Sequence, residues 1–378
     1  MKKKQFISTL SFVLVGLLLF SSCKHWSDTS SITPPSSSSS EPSTSEGKKY
    51  TITWQNEDGS TLFSEEVEVG KVPTYNSEEP TKVSEDEMYN YVFHEWVPEI
   101  KKVTKDMTYT ASYVKQYNDE INEELFTFTL TGVKNDRYSL KYKDKSNVSY
   151  GTDILLPYKY NGLLVTEIAN DAFSYMSSLT SVDISLSIKR INEGAFYACK
   201  NITNVFIPKN VDFISPSAFI KCRSLAKIEV DPLNKNYDSK DNCNAINITY
   251  TKTLLLGCKN TIIPSDTIAL GPNAFYGCYN LEEIVLPGSL EAIFDNCFRD
   301  CVNLKQIIIP RSVEFVREDA FTGCTNLVIF VEASEVGKFW SSLWNPSDCP
   351  TYFYSDVPNY DGKHWHYNED FVPTIWEE

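Results

Sequence analysis

Positive charge and histidine are what this sequence of 378 residues has least of. It carries four His (His25, His94, His364, His366) and 35 Lys and Arg against 50 Asp and Glu, a formal net charge of −15. So few histidines leave little material for acid–base chemistry near neutral pH. The carboxylate excess argues against nucleic acid, whose phosphates need clustered cations, and against electrostatic docking to an anionic membrane surface. No Gly-x-Ser-x-Gly elbow, glycine-rich phosphate loop or Cys-x-x-Cys spacing occurs, so hydrolase, nucleotide and zinc readings lack their motifs. The apolar run Phe12–Phe20, broken only by Gly16, falls short of the roughly 20 residues that a membrane-spanning helix needs. What is present is 42% hydrophobic and 13% aromatic residues, enough for a packed interior.

The N-terminus reads as a targeting segment, 1–22: basic Met1–Lys4, then the short apolar run, then Ser21-Ser22-Cys23. Leu19-Phe20-Ser21-Ser22-Cys23 resembles the lipobox of bacterial lipoproteins. That resemblance implies a diacylglycerol thioether on Cys23, which becomes the mature N-terminus on the extracellular face of the cell membrane; acyl chains in pairs anchor stably. Residues 23–47 are mostly Ser, Thr and Pro, too polar to offset ordering entropy, and are expected to be a flexible spacer.

From Tyr50 the pattern alternates as strands do: Tyr50, Ile52 and Trp54 share a face, and Asn56-Glu57-Asp58-Gly59 supplies a turn. Tyr89–Phe93 and Tyr109–Tyr113 alternate likewise. Residues 48–117 resemble the internalin B-repeat through Tyr50–Trp54, Pro73-Thr74-Tyr75, Tyr91–Pro98 and Thr108–Ala111, which implies a small β-grasp-like domain. Trp96 is expected in its core, with sugar stacking as the sharper alternative.

Beyond residue 165 a period of 23 dominates. Ala172-Phe173, Ala195-Phe196 and Ala218-Phe219 keep it, and Ala274-Phe275, Cys297-Phe298 and Ala320-Phe321 resume it. An aliphatic stands four before each Ala, and Leu or Ile six after each Phe; a short strand comes next, often closed by Pro208, Pro287 or Pro310. No single unit can enclose its apolar set, but stacked units form continuous ladders. Each is read as a strand plus a tight helical or looped return. The pattern resembles the leucine-rich repeats of the BspA-like family, from about Phe126 to Trp376, with Asn234–Ile246 and Leu255–Pro264 as its long-repeat variant. The fold class expected is therefore a repeat solenoid of stacked short parallel strands behind a small β-rich domain. Its bounds are 118–164 for the N-terminal cap, 165–332 for the repeats and 333–378 for the C-terminal cap.

Of ten cysteines, Cys199, Cys222, Cys278, Cys301 and Cys324 all stand three after a repeat Phe. They read as one buried core ladder of free thiols, with oxidation between rungs left open. His364 and His366, with Asp361 and Asp370 nearby, form a weak metal pattern better read as cap packing. Cys349 with His364 is no stronger a catalytic pair. The position ten after each Phe should point outward between two inward aliphatics, giving Asp183, Phe206, Glu229, Val285, Ile308 and Val331. Phe206, Glu229, Val285, Ile308 and Val331 are the candidate ligand face, because exposed apolar patches mark interaction sites. The expectation is a protein without enzymatic activity, catalytic residues, metal or other cofactor, binding a protein or glycan on host or bacterial surfaces. The resemblance to the BspA-like family implies the same. A scaffolding role in the envelope is the alternative.

Overall fold

The computed structural model describes residues 47–144 and 153–377. The targeting segment, Cys23 and nearly all of the spacer lie outside the described residues. In the first part, β1 (Lys49–Gln55), β2 (Thr61–Glu68), β3 (Tyr89–Val97) and β4 (Met107–Tyr117) form one sheet in the order β2-β1-β4-β3. β1 and β4 run parallel and the outer pairs antiparallel. Alternation buries Ile52, Trp54 and Tyr109 on one face. Trp96 is half-buried there, its ring 4.8 Å from Trp54 and 4.7 Å from Tyr75.

β4 runs directly into α1 (Asp119–Leu125), whose first turn is capped by the Asn118 side chain accepting from Ile121 N–H. A buried residue helps tie this sheet to the segment that leads into the repeats. Gln116 is 2% exposed; its Oε1 accepts from Tyr158 N–H at 2.9 Å and Lys159 N–H at 3.0 Å, and its Nε2 donates to Lys159 O at 3.2 Å. Nearby, His94 Nδ1 lies 3.2 Å from Tyr158 Oη, and Lys209 Nζ meets Glu95 at 3.1 Å.

The repeats stack through two parallel ladders. One joins Leu163–Ile168, Arg190–Ile191 and Phe213–Ile214, and resumes from Thr253–Gly257 through Ala269–Leu270 and Ala292–Ile293 to Phe315–Val316. The other pairs Asp153–Leu155 with Ser181–Asp183, Asn204–Ile207 with Lys227–Val230, and Gln306–Ile309 with Val328–Val331, Thr351–Tyr354 and His364–Tyr367. Pro373–Ile375 closes that edge antiparallel, covering a row of backbone groups that would otherwise be open to pairing.

Between the ladders the phenylalanines form a column. Phe173, Phe196 and Phe219 succeed one another at 5.2 and 4.9 Å, and Phe275, Phe298 and Phe321 at 5.1 and 5.5 Å, their planes within 10° of parallel. The spacing is close to the strand separation of about 4.8 Å, so each ring sits over the next as its backbone does. Phe173 N–H donates to Ala195 O at 2.7 Å, Phe196 N–H to Ala218 O, Phe275 N–H to Cys297 O and Phe298 N–H to Ala320 O, each at 2.8 Å. The small residue before each Phe is therefore the acceptor for the preceding unit.

The returns are turns, and the backbone shows why they are not helices. The residue two after each Phe takes positive φ in every unit: Tyr175 64°, Ala198 56°, Lys221 62°, Gly277 72°, Asp300 58° and Gly323 78°. A left-handed residue inside each return stops helix propagation. The 56-residue gap between Phe219 and Phe275 is absorbed by an antiparallel excursion, Tyr237–Asp238 with Ala245–Ile248 and Thr253–Gly257. The main stack closes beneath it: Lys221 N–H donates to Tyr276 O at 3.1 Å, and the Arg223 guanidinium lies 3.8 Å over the Tyr279 ring. Among the described residues no helix is long and apolar enough to cross a membrane.

Candidate ligand-binding face

The strand between each Phe return and the next points alternate side chains in and out. Val205 and Ile207 are buried while Phe206 between them is 45% exposed; Ile228 and Val230 are buried while Glu229 is exposed. Asp183 and Val285 are also exposed, Val285 at 84%, and Ile308 is half-buried.

Val331 does not belong with them. It is 1% exposed and pairs with the inward Ile309, while Phe330 pairs with Ile308. The cause is a missing residue. Lys305 separates Leu304 from the strand start Gln306, whereas Leu327 is followed directly by the strand start Val328. A slip of one residue sends each side chain to the opposite face. The outward Phe330 is then covered, with Tyr352 and Trp365 rings at 5.8 and 5.3 Å.

Ile262 is a member of the face that the period does not reveal. It is 71% exposed, next to buried Ile263, and Thr261-Ile262-Ile263-Pro264 repeats the arrangement of Ile307-Ile308-Ile309-Pro310. The long excursion hides the spacing, but the Ile-Ile-Pro signature is a signal that could have found it.

These positions do not make one uniform stripe. Phe206 and Asp183 border a hollow of about 530 Å³, bounded also by Tyr89, Lys115 and Tyr117 of the N-terminal sheet. The crowding there pushes the Asp183 carboxyl above its ordinary value through desolvation. Glu229 is neutralised by Lys227 at 2.8 Å. Farther along, Ile262, Val285 and Ile308 line a groove of about 620 Å³ together with Glu283, Gln306, Glu332 and Tyr367. Tyr367 Oη donates to Glu332 Oε1 at 2.7 Å. Burial, and then the adjacent Glu332 charge, hold that phenol well above the usual tyrosine range. Along this stretch the strand ladder narrows to a single bridge, Glu283 with Gln306.

The cysteines lie behind the face. All nine described cysteines are buried and outside any disulfide. Sγ of Cys199, Cys222, Cys301 and Cys324 donates to Phe173, Phe196, Phe275 and Phe298 O, one unit earlier, at 3.0–3.2 Å. Cys349 extends the column, donating to Cys324 O at 3.3 Å. Each of these carbonyls also accepts a backbone N–H from its own unit, so the thiol adds a second bond that runs between units. A set of exposed asparagines also bonds from one unit to the one before it without standing out in the sequence. Asn201, Asn280 and Asn326 donate to Ser177, Arg223 and Val302 O at 2.7, 3.2 and 2.7 Å.

In the C-terminal part, His364 Nδ1 lies 2.8 Å from Asp361 Oδ1. His366 stacks on Trp376 at 3.7 Å, with Nδ1 2.9 Å from Tyr367 O. Among the described residues no group of three or more His, Cys, Asp and Glu is placed to hold a metal.

Residues 160–256 and 254–341 match, in six copies, the family model described as a BspA type leucine rich repeat region. Similar solved structures include a leucine rich cell surface protein from Faecalibacterium prausnitzii, 24% identical over 48% of this chain and 53% of that one, TM-score 0.37. A leucine-rich repeat protein from Eubacterium ventriosum is 16% identical over 61% of this chain and 77% of that one, TM-score 0.38. Another, from Bacteroides ovatus, is 18% identical over 63% and 73%, TM-score 0.31. The chain thus spans about half the length of the Faecalibacterium protein. No curated protein matches.

Proposed function

We propose that this chain is a bacterial surface lipoprotein, held to the membrane by Cys23, that recognises a protein or glycan on host or bacterial surfaces through one face of its repeat solenoid and catalyses no reaction. The observation that carries the reading is the groove lined by Ile262, Val285 and Ile308. Two of these are among the more exposed large apolar residues described, at 71% and 84%. Exposed aliphatic side chains gathered on one face are costly to hydrate and are retained where a partner covers them. The six repeat copies of the BspA type support the solenoid, whose units present such a face repeatedly. The N-terminal sheet is the β-grasp-like module in this reading, and the Ser/Thr/Pro tract is its spacer from the membrane. At about 3.3 Å per residue that tract would reach roughly 80 Å when fully extended.

The test is capture of the purified full chain on two surfaces, host extracellular matrix and isolated bacterial wall, with a Phe206→Asp/Ile308→Asp variant alongside. Saturable binding to either surface that the variant loses while keeping its circular dichroism supports recognition. Matrix and wall separate adhesion from envelope scaffolding. Equal binding by a folded variant would discard the face.

A further inference from the structure

The groove over Ile262, Val285 and Ile308 has a one-sided charge. Two carboxylates, Glu283 and Glu332, line it, and among the described residues no Lys, Arg or His does. Glu332 accepts from Tyr367 Oη at 2.7 Å and from Arg311 N–H at 3.3 Å. Both donors are neutral, so they position the carboxylate and leave its charge in place. Glu283 makes no ion pair among the described residues, because the neighbouring Lys305 is held by Glu282 at 2.8 Å. The groove's lining is mainly aliphatic, with Thr261, Ser265, Gln306 and Tyr367 as neutral polar side chains. The carboxylates are not part of any cluster suited to a metal ion.

We propose, on the basis of the recognition reading above, that this groove takes an extended peptide segment that presents Lys or Arg and aliphatic side chains on one side. The aliphatic residues of the partner lie on Ile262, Val285 and Ile308, and its cations face Glu283 and Glu332. Residues two apart in an extended segment point to the same side, so cations and aliphatic residues spaced by two face the groove together, as Glu283 and Val285 do on this chain. Charge complementarity of this kind sets specificity and encounter rate more than total affinity.

The experiment uses the full chain and two synthetic probes, Ac-Val-Ser-Lys-Ser-Ile-Ser-Lys-amide and Ac-Val-Ser-Glu-Ser-Ile-Ser-Glu-amide, with binding read by fluorescence anisotropy at two salt concentrations. The basic probe should bind saturably and the acidic probe at least tenfold more weakly. Preference should shrink as salt screens the pairs. Glu283→Lys should weaken the basic probe about fivefold or more, as expected for reversing one exposed pair. Val285→Asp should weaken both. Equal binding of the two probes, or no binding of either, overturns this inference. In that case loss of matrix or wall capture in Val285→Asp would still leave the recognition face standing. Unchanged capture in that variant would remove the recognition reading itself.

Discussion

At the scale of single residues, the cysteines turn an apparent redox framework into packing. Burial pushes the thiols of Cys278 and Cys324 up to about 12, and those of Cys222, Cys297 and Cys301 well above their ordinary value. The thiolate is the reactive form. In the native chain at pH 8 these residues should therefore resist Ellman's reagent, and all should react once guanidinium unfolds the protein. Rapid native labelling of several thiols would contradict this. The same shift gives a pH dependence. An unfolded thiol titrates near 8.5, so between about pH 9 and 12 the folded state holds protons that the unfolded state has lost. The thiols' contribution to stability is full below about pH 9 and is lost as pH rises toward 12. Thermal unfolding scans from pH 8 to 11 should show Tm falling, less steeply when Cys278, Cys301 and Cys324 are all Ala. A different residue carries the proposed anchor. Cys23→Ala should move the chain from the membrane to the soluble fraction, and a membrane-retained variant would refute lipid attachment there.

At the scale of one repeat, close approach sets which residues are tolerated. A Cβ on Gly257 would lie 2.1 Å from Cε1 of Phe275, the ring that restarts the phenylalanine column after the excursion. Gly257→Ala should destabilise the chain by about 1–3 kcal/mol, the range for overpacking a filled core, measured by urea denaturation. An unchanged midpoint would show that the column yields at that point. Much of this element is legible in the sequence. The 23-residue period places the Phe and Cys columns and the outward Asp183, Phe206, Glu229, Val285 and Ile308, because one side-chain direction per position is what stacking enforces. Two exceptions have physical causes. Val331 departs from the period because a single residue is lost after Leu327, which the Leu and Phe spacing does not register. Ile262 escapes it because the excursion interrupts the count. The left-handed residues of the returns are hidden too, since Tyr175, Lys221 and Ala198 occupy a conformation more often marked by Gly or Asn.

At the scale of the molecule, the N-terminal sheet and the repeats are joined through the buried Gln116 and its three hydrogen bonds to residues 158 and 159. Removing that side chain leaves two backbone donors unpaired, at about 1–3 kcal/mol each at most. Gln116→Ala should lower the denaturation midpoint. It should also separate the tryptophan signals of the sheet, Trp54 and Trp96, from those of the far end, Trp340, Trp344 and Trp365. Coincident transitions in the variant would mean that the joint rests on other contacts. The groove joins the proposed recognition to this architecture, for it exists only where units are stacked in register. The most direct measurement is hydrogen exchange on the full chain with and without the surface that captures it. Recognition by the solenoid face requires slowed exchange at residues 261–264, 283–286 and 306–309. Protection confined to the N-terminal sheet, with these three segments unchanged, would contradict it.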